Sequence, residues 1–241
     1  MFKARSQEIE IMDDFSQGGT LMDRTLQELQ LINKYLGGYS ALLKGLNSLL
    51  PDLKKVDTGQ KIRIVDLGCG GGDALRLTAD WSRRNGLNVQ LIGIDANESV
   101  LRFAREASEA YPEIEYRQMD VFSEEFKALR FNIVLMTLFV HHIADLQLVN
   151  LLTGLRRQAL TGIVINDLHR HWLAYYSILV LTKFFSKSTM VKHDGPVSVL
   201  RAFKKNELES ILRKAGFTHY DLEWHWAFRY LIVLSAPASI P

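Results

Sequence analysis

After a polar opening that ends in Gly18-Gly19, apolar residues recur at Met22, Leu26, Leu29, Ile32 and Leu36. Steps of three and four residues place them on one face of a helix, and Gly37-Gly38 supplies the left-handed stop that helix ends favour. A second helical stretch, 39–50, is expected to stop before Pro51, with 52–61 as a polar connector. Residues 1–20 read as a mobile or loosely docked arm, and 1–59 together as a helical cap ahead of the main fold.

From Ile62 the pattern changes. Short β-branched runs at 62–67, 89–94, 114–119, 132–136 and 162–166 are separated by helical stretches at 73–84, 98–110 and 145–158. A strand–helix alternation of this kind predicts an open, mainly parallel sheet with helices on both faces, and a ligand beyond the carboxyl ends of the strands. Asn206 is placed to cap a helix whose buried stripe is Leu208, Ile211, Leu212 and Ala215, stopped by Gly216. Two runs, 218–224 and 229–234, then follow with a connection so short that they must pair antiparallel.

Composition narrows the classes. The 241 residues are 47% hydrophobic and 23% charged, as in ordinary globular domains. A net charge of +2 is too even for a nucleic-acid footprint, so no nucleic-acid partner is expected. One cysteine, Cys69, excludes an internal disulfide and a Cys-rich zinc site. The polar start MFKARSQEIEIMDD carries no apolar signal core, and a cytoplasmic location is the expectation.

The run Val65-Asp66-Leu67-Gly68-Cys69-Gly70-Gly71-Gly72-Asp73 lies between a strand and a helix. Glycines there let the chain turn tightly and a cofactor approach closely. A dinucleotide loop would read G-x-G-x-x-G, but Asp73 stands at the final position, where it would oppose a pyrophosphate at the helix N-terminus. To a cofactor without phosphate Asp73 is harmless and reads as a cap of the helix, and Asp66 suits a cofactor bearing a positive ammonium group. Cys69 has no basic neighbour in sequence to make it a nucleophile and reads as a small residue in a tight loop.

VDLGCGGGD resembles motif I of the class I S-adenosylmethionine (SAM)-dependent methyltransferases, of the small-molecule type found in ubiquinone and menaquinone biosynthesis. GIDAN resembles their acidic ribose loop, QMDV their adenine corner, and FNIVLM their fourth strand, a likeness covering roughly 60–236. The resemblance implies a doubly wound, Rossmann-like α/β fold. Its sheet would be seven-stranded and mainly parallel with an antiparallel C-terminal strand, with the cap at 1–59, the methyltransferase domain at 60–241 and a helical lid inserted at about 168–203. It further implies that Asp66 with Gly68, Cys69, Gly70 and Gly72 holds the methionine portion, and that Asp95 takes the ribose hydroxyls. Asp120, Val121 and Ala96 would frame the adenine, and Thr137 would complete the cofactor wall.

Acceptor chemistry is sought after strands four and five. His141 and His142 offer a general base near neutral pH. Asp167 with His169 offers an oriented base, and Arg170 a partner for an acidic or phenolate acceptor. The apolar stretch Trp172–Phe185, with Tyr175 and Tyr176, reads as a lid or wall for an apolar acceptor. At ~20 Å it is too short to span a bilayer, although Lys183, Lys187 and Lys192 leave a weak membrane-surface contact open. His193–Pro196 reads as a turn over the pocket, and Asn33 with the Gly37–Tyr39 corner as its cover. No metal is expected, since His169, His171 and His193 show no recognised ligand spacing.

The expectation is therefore methyl transfer to a small hydrophobic aromatic or polyketide-like acceptor, at oxygen ahead of carbon. Two alternatives stand beside it. A protein that binds SAM or S-adenosylhomocysteine (SAH) without turnover fits the same cofactor motifs. An NAD(P)-dependent reductase is disfavoured by Asp73 and by the lack of a Tyr-x-x-x-Lys pair.

Overall fold

A computed structural model describes residues 2–15, 17–56 and 60–235; part of the expected connector at 52–61 lies outside these. The strands are β1 (Ile62–Leu67), β2 (Val89–Asp95), β3 (Ile114–Gln118), β4 (Phe131–Thr137), β5 (Ala159–Leu168), β6 (Asp221–His225) and β7 (Arg229–Ser235). They form one sheet in the order β3-β2-β1-β4-β5-β7-β6. β1 to β5 pair in parallel, while β7 runs antiparallel to both β5 and β6. Winding reverses between β1 and β4, where a doubly wound sheet opens a crevice at its carboxyl ends.

The helices are α1 (Gly19–Tyr35), α2 (Gly38–Leu53), α3 (Asp73–Arg84), α4 (Glu98–Ala107), α5 (Glu124–Lys127), α6 (Asp145–Gln158), α7 (Trp172–Phe185), α8 (Thr189–Arg201) and α9 (Lys205–Lys214). Strand residues alternate between two cores, as a pleat of period two requires. Ile64, Leu91, Leu135 and Val164 meet α2, α3 and α4 on one face. Val65, Ile92, Val134 and Ile163 meet α6 and α9 on the other.

α2 is thus a layer of the main sandwich rather than a cap. Leu42, Leu46, Leu49 and Leu53 pack on the sheet, and the helix runs through Pro51 into its last turn. Losing one N–H there costs less than exposing Leu53, which is 1% exposed. α1 does roof the sheet, with Met22 and Leu26 against Val100 of α4 and Met190 of α8.

Three further expectations give way. The N-terminal arm is docked: Arg5 donates to the carbonyls of Arg201, His141 and Ile143, and Ser6 N–H to Leu200. His193–Pro196 is helical, inside α8. Asp194 there accepts from the N–H groups of Ile11 and Met12, so the helix is held by the arm that packs on it. At α9 the N-cap is Lys204, not Asn206, and Glu207 accepts from the Lys204 N–H.

Candidate functional site

A cavity of about 1070 Å³ opens at the carboxyl ends of β1, β2, β4 and β5. Ligand pockets commonly measure roughly 300–1,000 Å³, so this one has room for a cofactor and an acceptor together. Asp66 is the last residue but one of β1, β2 ends in Asp95, β4 in Thr137, and Asp120 follows β3; all four line the cavity. α1, α7, α8, the arm and the β6–β7 turn close it from above.

One side is acidic. Asp66 is 1% exposed, and its Oδ1 is buried without a hydrogen-bond partner. Burial first, then the charges of Asp73 and Asp95, push its carboxyl well above the ordinary range. Three carboxyls so placed call for a cation. Burial also raises Asp95, against hydrogen bonds from the N–H groups of Asn97 and Gly70 at 3.0 and 3.2 Å. Each oxygen keeps a further lone pair for a ligand hydroxyl.

The glycine loop divides its tasks. Gly70 has φ +51° and open space where a Cβ would lie, so its backbone faces the cavity. Gly68, Cys69, Ala96 and Val121 also line it. Gly72 does not: it leaves room for the Tyr116 ring, whose hydroxyl would stand 2.1 Å from a Cβ. Its place in the run is structural. Cys69 is buried, and burial with Asp95 and Asp66 drives its thiol upward, away from thiolate chemistry. Asp120 accepts from the Phe122 N–H, and the Thr137 hydroxyl is buried without a partner.

The turn after β4 adds two histidines to the lining. His141 is 3% exposed, and its Nδ1 lies 2.7 Å from Asp167 Oδ1. Asp167 also accepts from the N–H groups of Val140 and His141, which pins the short turn Val140–His142. Burial alone would raise Asp167, yet the charge and hydrogen bond of His141 with the Leu168 N–H hold it low. An ionised acceptor at Nδ1 keeps the ring proton there and leaves Nε2 as the acceptor nitrogen.

The arm adds acids to the same lining. Glu10 Oε1 lies 3.7 Å from His141 Nε2 and 3.9 Å from His142 Nδ1, and has no hydrogen-bond partner. Burial raises Glu10 to about 7 against the pull of His142, the Ser198 hydroxyl and Arg201. Asp13 is also buried in part, but His142 at 2.7 Å and Arg201 bring it down to about 2. Glu10, His141 and His142 each offer a donor atom within 4.8 Å of the others, the one such group among the described residues. Arg201 already stands among them, 3.6 Å from Glu10.

Several expected roles fail on geometry. Asp167 partners His141, not His169. β5 ends at Leu168, and His169 turns to the rings of His171 and Tyr230, off the cavity, where burial lowers it to about 4. Arg170 is 1% exposed and spent on the carbonyls of Ala202 and Phe2 and on Glu207. Trp172 and Tyr176 face outward and Tyr175 packs on Phe2, so none of these three lines the cavity. α7 instead turns Ala174, Ser177, Ile178 and Leu181 inward.

Sequence reading missed Glu10, Asp13, Ser198 and Arg229, all on the cavity wall. Arg229 is fully buried and lowered to about 10 by that burial. It donates to Leu36 O and Asn33 Oδ1, with its second terminal nitrogen unpartnered. The available signal was an arginine at the start of an otherwise apolar strand.

Residues 64–161 match the family described as a methyltransferase domain. The chain is 26% identical over 167 residues to a ubiquinone biosynthesis O-methyltransferase of Bartonella quintana (strain Toulouse), covering 67% of this chain and 62% of that protein. Among solved structures it is similar to the plantazolicin methyltransferase BpumL in complex with SAH. The TM-score is 0.63 at 16% identity, covering 89% of this chain and 90% of that one. It is also similar to the CMeT domain of the citrinin polyketide synthase, with a TM-score of 0.57 at 17% identity, covering 74% of this chain and 47% of that one. The chain spans about three fifths of the length of the curated ubiquinone-pathway relative.

Proposed function

We propose that this chain, a class I SAM-dependent methyltransferase by its domain and its fold, transfers a methyl group to the hydroxyl of a small apolar acceptor, with His141 taking the proton. The observation that carries the reading is a single cavity lined both by buried acids and by the Asp167-oriented His141.

SAM fits the acidic side. The unpartnered Asp66 oxygen and the nearby Asp73 would hold its ammonium group, and Asp95 its ribose hydroxyls. Asp120, Ala96 and Val121 would border the adenine, with the Gly68–Gly70 backbone along the methionine chain. The free Arg229 nitrogen suits its carboxylate. When bound, SAM supplies a methyl group made electrophilic by the sulfonium. A dinucleotide would set its pyrophosphate against Asp66, Asp73 and Asp95, which counts against a reductase.

The chain's own contribution is positioning and proton removal. Asp167 keeps the His141 proton on Nδ1, so Nε2 can accept from an acceptor hydroxyl. Leu29, Phe139, Ile178 and Leu181 give the cavity apolar walls, which supports a hydrophobic aromatic or polyketide-like acceptor. A histidine base able to take a phenol-like proton supports methylation at oxygen ahead of carbon.

Calorimetric titration of SAM and SAH into the wild type and Asp95→Ala tests the cofactor side. Micromolar binding lost in the variant is the expected result, and no binding to the wild type would overturn the reading. Phenols, quinols and polyketide-like compounds are then screened with the wild type and His141→Ala. The variant should keep SAM affinity and lose on the order of a hundredfold in kcat. Product carrying carbon-bound methyl would move the acceptor atom from oxygen to carbon.

A further inference from the structure

The outer face of α7 is largely exposed. Trp172 is 55% exposed, Tyr176 52%, Val180 50%, Phe184 72% and Phe185 80%. An ordinary surface helix turns such residues inward and leaves polar ones in water. Here the inward face is already occupied: Ala174 and Thr182 are buried, and Ile178 reaches the cavity. One helix therefore walls the cavity with one side and presents an apolar surface with the other.

That surface continues past the helix start. The His171 ring stacks on Phe228 at 5.0 Å, and Phe228 meets Trp224 edge-on at 5.9 Å. Trp224 and Trp226 of the β6–β7 hairpin are 52% and 63% exposed, and both line the cavity. Tryptophan and tyrosine, half apolar and half polar, favour a membrane–water boundary.

Along α7 and the segment after it the charge has one sign; the hairpin's exposed acids are Asp221 and Glu223, the latter paired with Lys44. Residues 172–193 carry Lys183, Lys187 and Lys192 and no Asp or Glu, and all three lysines are exposed. Glu28, the acid that packs on the end of α7, is committed to the Ser186 hydroxyl and to the N–H groups of Lys187 and Ser188. At about 1.5 Å per residue, the helix is far shorter than the ~30 Å hydrocarbon core of a bilayer. No described helix is long and apolar enough to cross a membrane.

We propose that α7 and the β6–β7 hairpin lie flat on an anionic phospholipid surface, so that an apolar acceptor enters the cavity from the bilayer. Apolar side chains enter the headgroup boundary while the lysines meet lipid phosphates, the two contributions that hold an interfacial helix. The route of entry rests on the acceptor reading above, whereas the surface contact stands without it.

Flotation of the full chain tests this, with vesicles of phosphatidylcholine mixed with phosphatidylglycerol and with phosphatidylcholine alone. The wild type should float with the anionic vesicles, less with the neutral ones, and be released by salt. The double variant Phe184→Glu, Phe185→Glu removes no core contact and should partition at least about tenfold less, with unchanged melting and SAM affinity. A wild type that stays in solution with both vesicles, or a variant that floats as well as the wild type, overturns the proposal. So does light scattering that shows a wild-type dimer made monomeric by the same substitutions without loss of flotation, which would assign the face to a second copy. Failure of SAM binding with flotation intact would instead strike only the methyltransferase reading.

Discussion

Glu10 is held near 7 by burial, from an ordinary 4.5, although His142, Ser198 and Arg201 all pull it down. The folded state therefore keeps a proton that the unfolded chain releases between those values. The stability this gives is complete below about 4.5 and is lost as pH climbs through about 7. His169 acts in the other direction: the fold keeps it neutral down to about 4 against an ordinary 6.5, so its contribution fades as pH falls through that window. Glu10→Gln isolates the first effect. Urea unfolding at about pH 5 and about pH 8 should show the wild type losing up to about 3 kcal/mol relative to the variant. Parallel pH curves for the two proteins would place Glu10 in contact with water and remove it from the site.

At the scale of elements, the β6–β7 hairpin stores strain beside the cavity. Ala227 and Phe228 take φ of +61° and +57°, a left-handed pair that hairpin turns usually assign to Asn-Gly. Neither residue is free of steric cost there. Ala227→Gly should stabilise the chain by roughly 0.5–1 kcal/mol, read as a higher Tm. An unchanged or lower Tm would mean that packing at the cavity wall, not backbone preference, sets this turn. α7 shows a different limit. Its ends matched the apolar run residue for residue, but its phase did not follow from the sequence. A helix apolar all round gives no stripe to orient. The sequence thus points Trp172, Tyr175 and Tyr176 toward the cavity, whereas Ala174, Ser177 and Ile178 line it.

Across the whole molecule, the arm, the turn after β4 and the end of α8 bring Glu10, Asp13, His141, His142 and Arg201 into one charged cluster. The donor atoms would admit a metal ion. Yet Arg201 bonds Asp13 and stands 3.6 Å from Glu10, so a cation already balances the acids. Exhaustive dialysis against EDTA should leave SAM affinity and turnover unchanged. Activity lost and then restored by one divalent ion would make the cluster a metal centre instead.

The sequence by itself determined the order of the seven strands and of the helices between them, α5 and α8 excepted, and the places of Asp66, Asp95 and Asp120 near strand ends. These depend on local information: a period of two or 3.6, and turns a few residues long. The same short range explains why the glycine run was legible as a tight loop between β1 and α3, though Gly72 was not separable from Gly70. Tertiary structure alone decided what faces what. Asp167 meets His141 26 positions away rather than His169 two positions on, and Asp13 meets His142 across 129 positions. Arg229 reaches Asn33 across 196 positions. Such partners are chosen by how layers pack and how much water they exclude, and no local pattern of residues carries that choice.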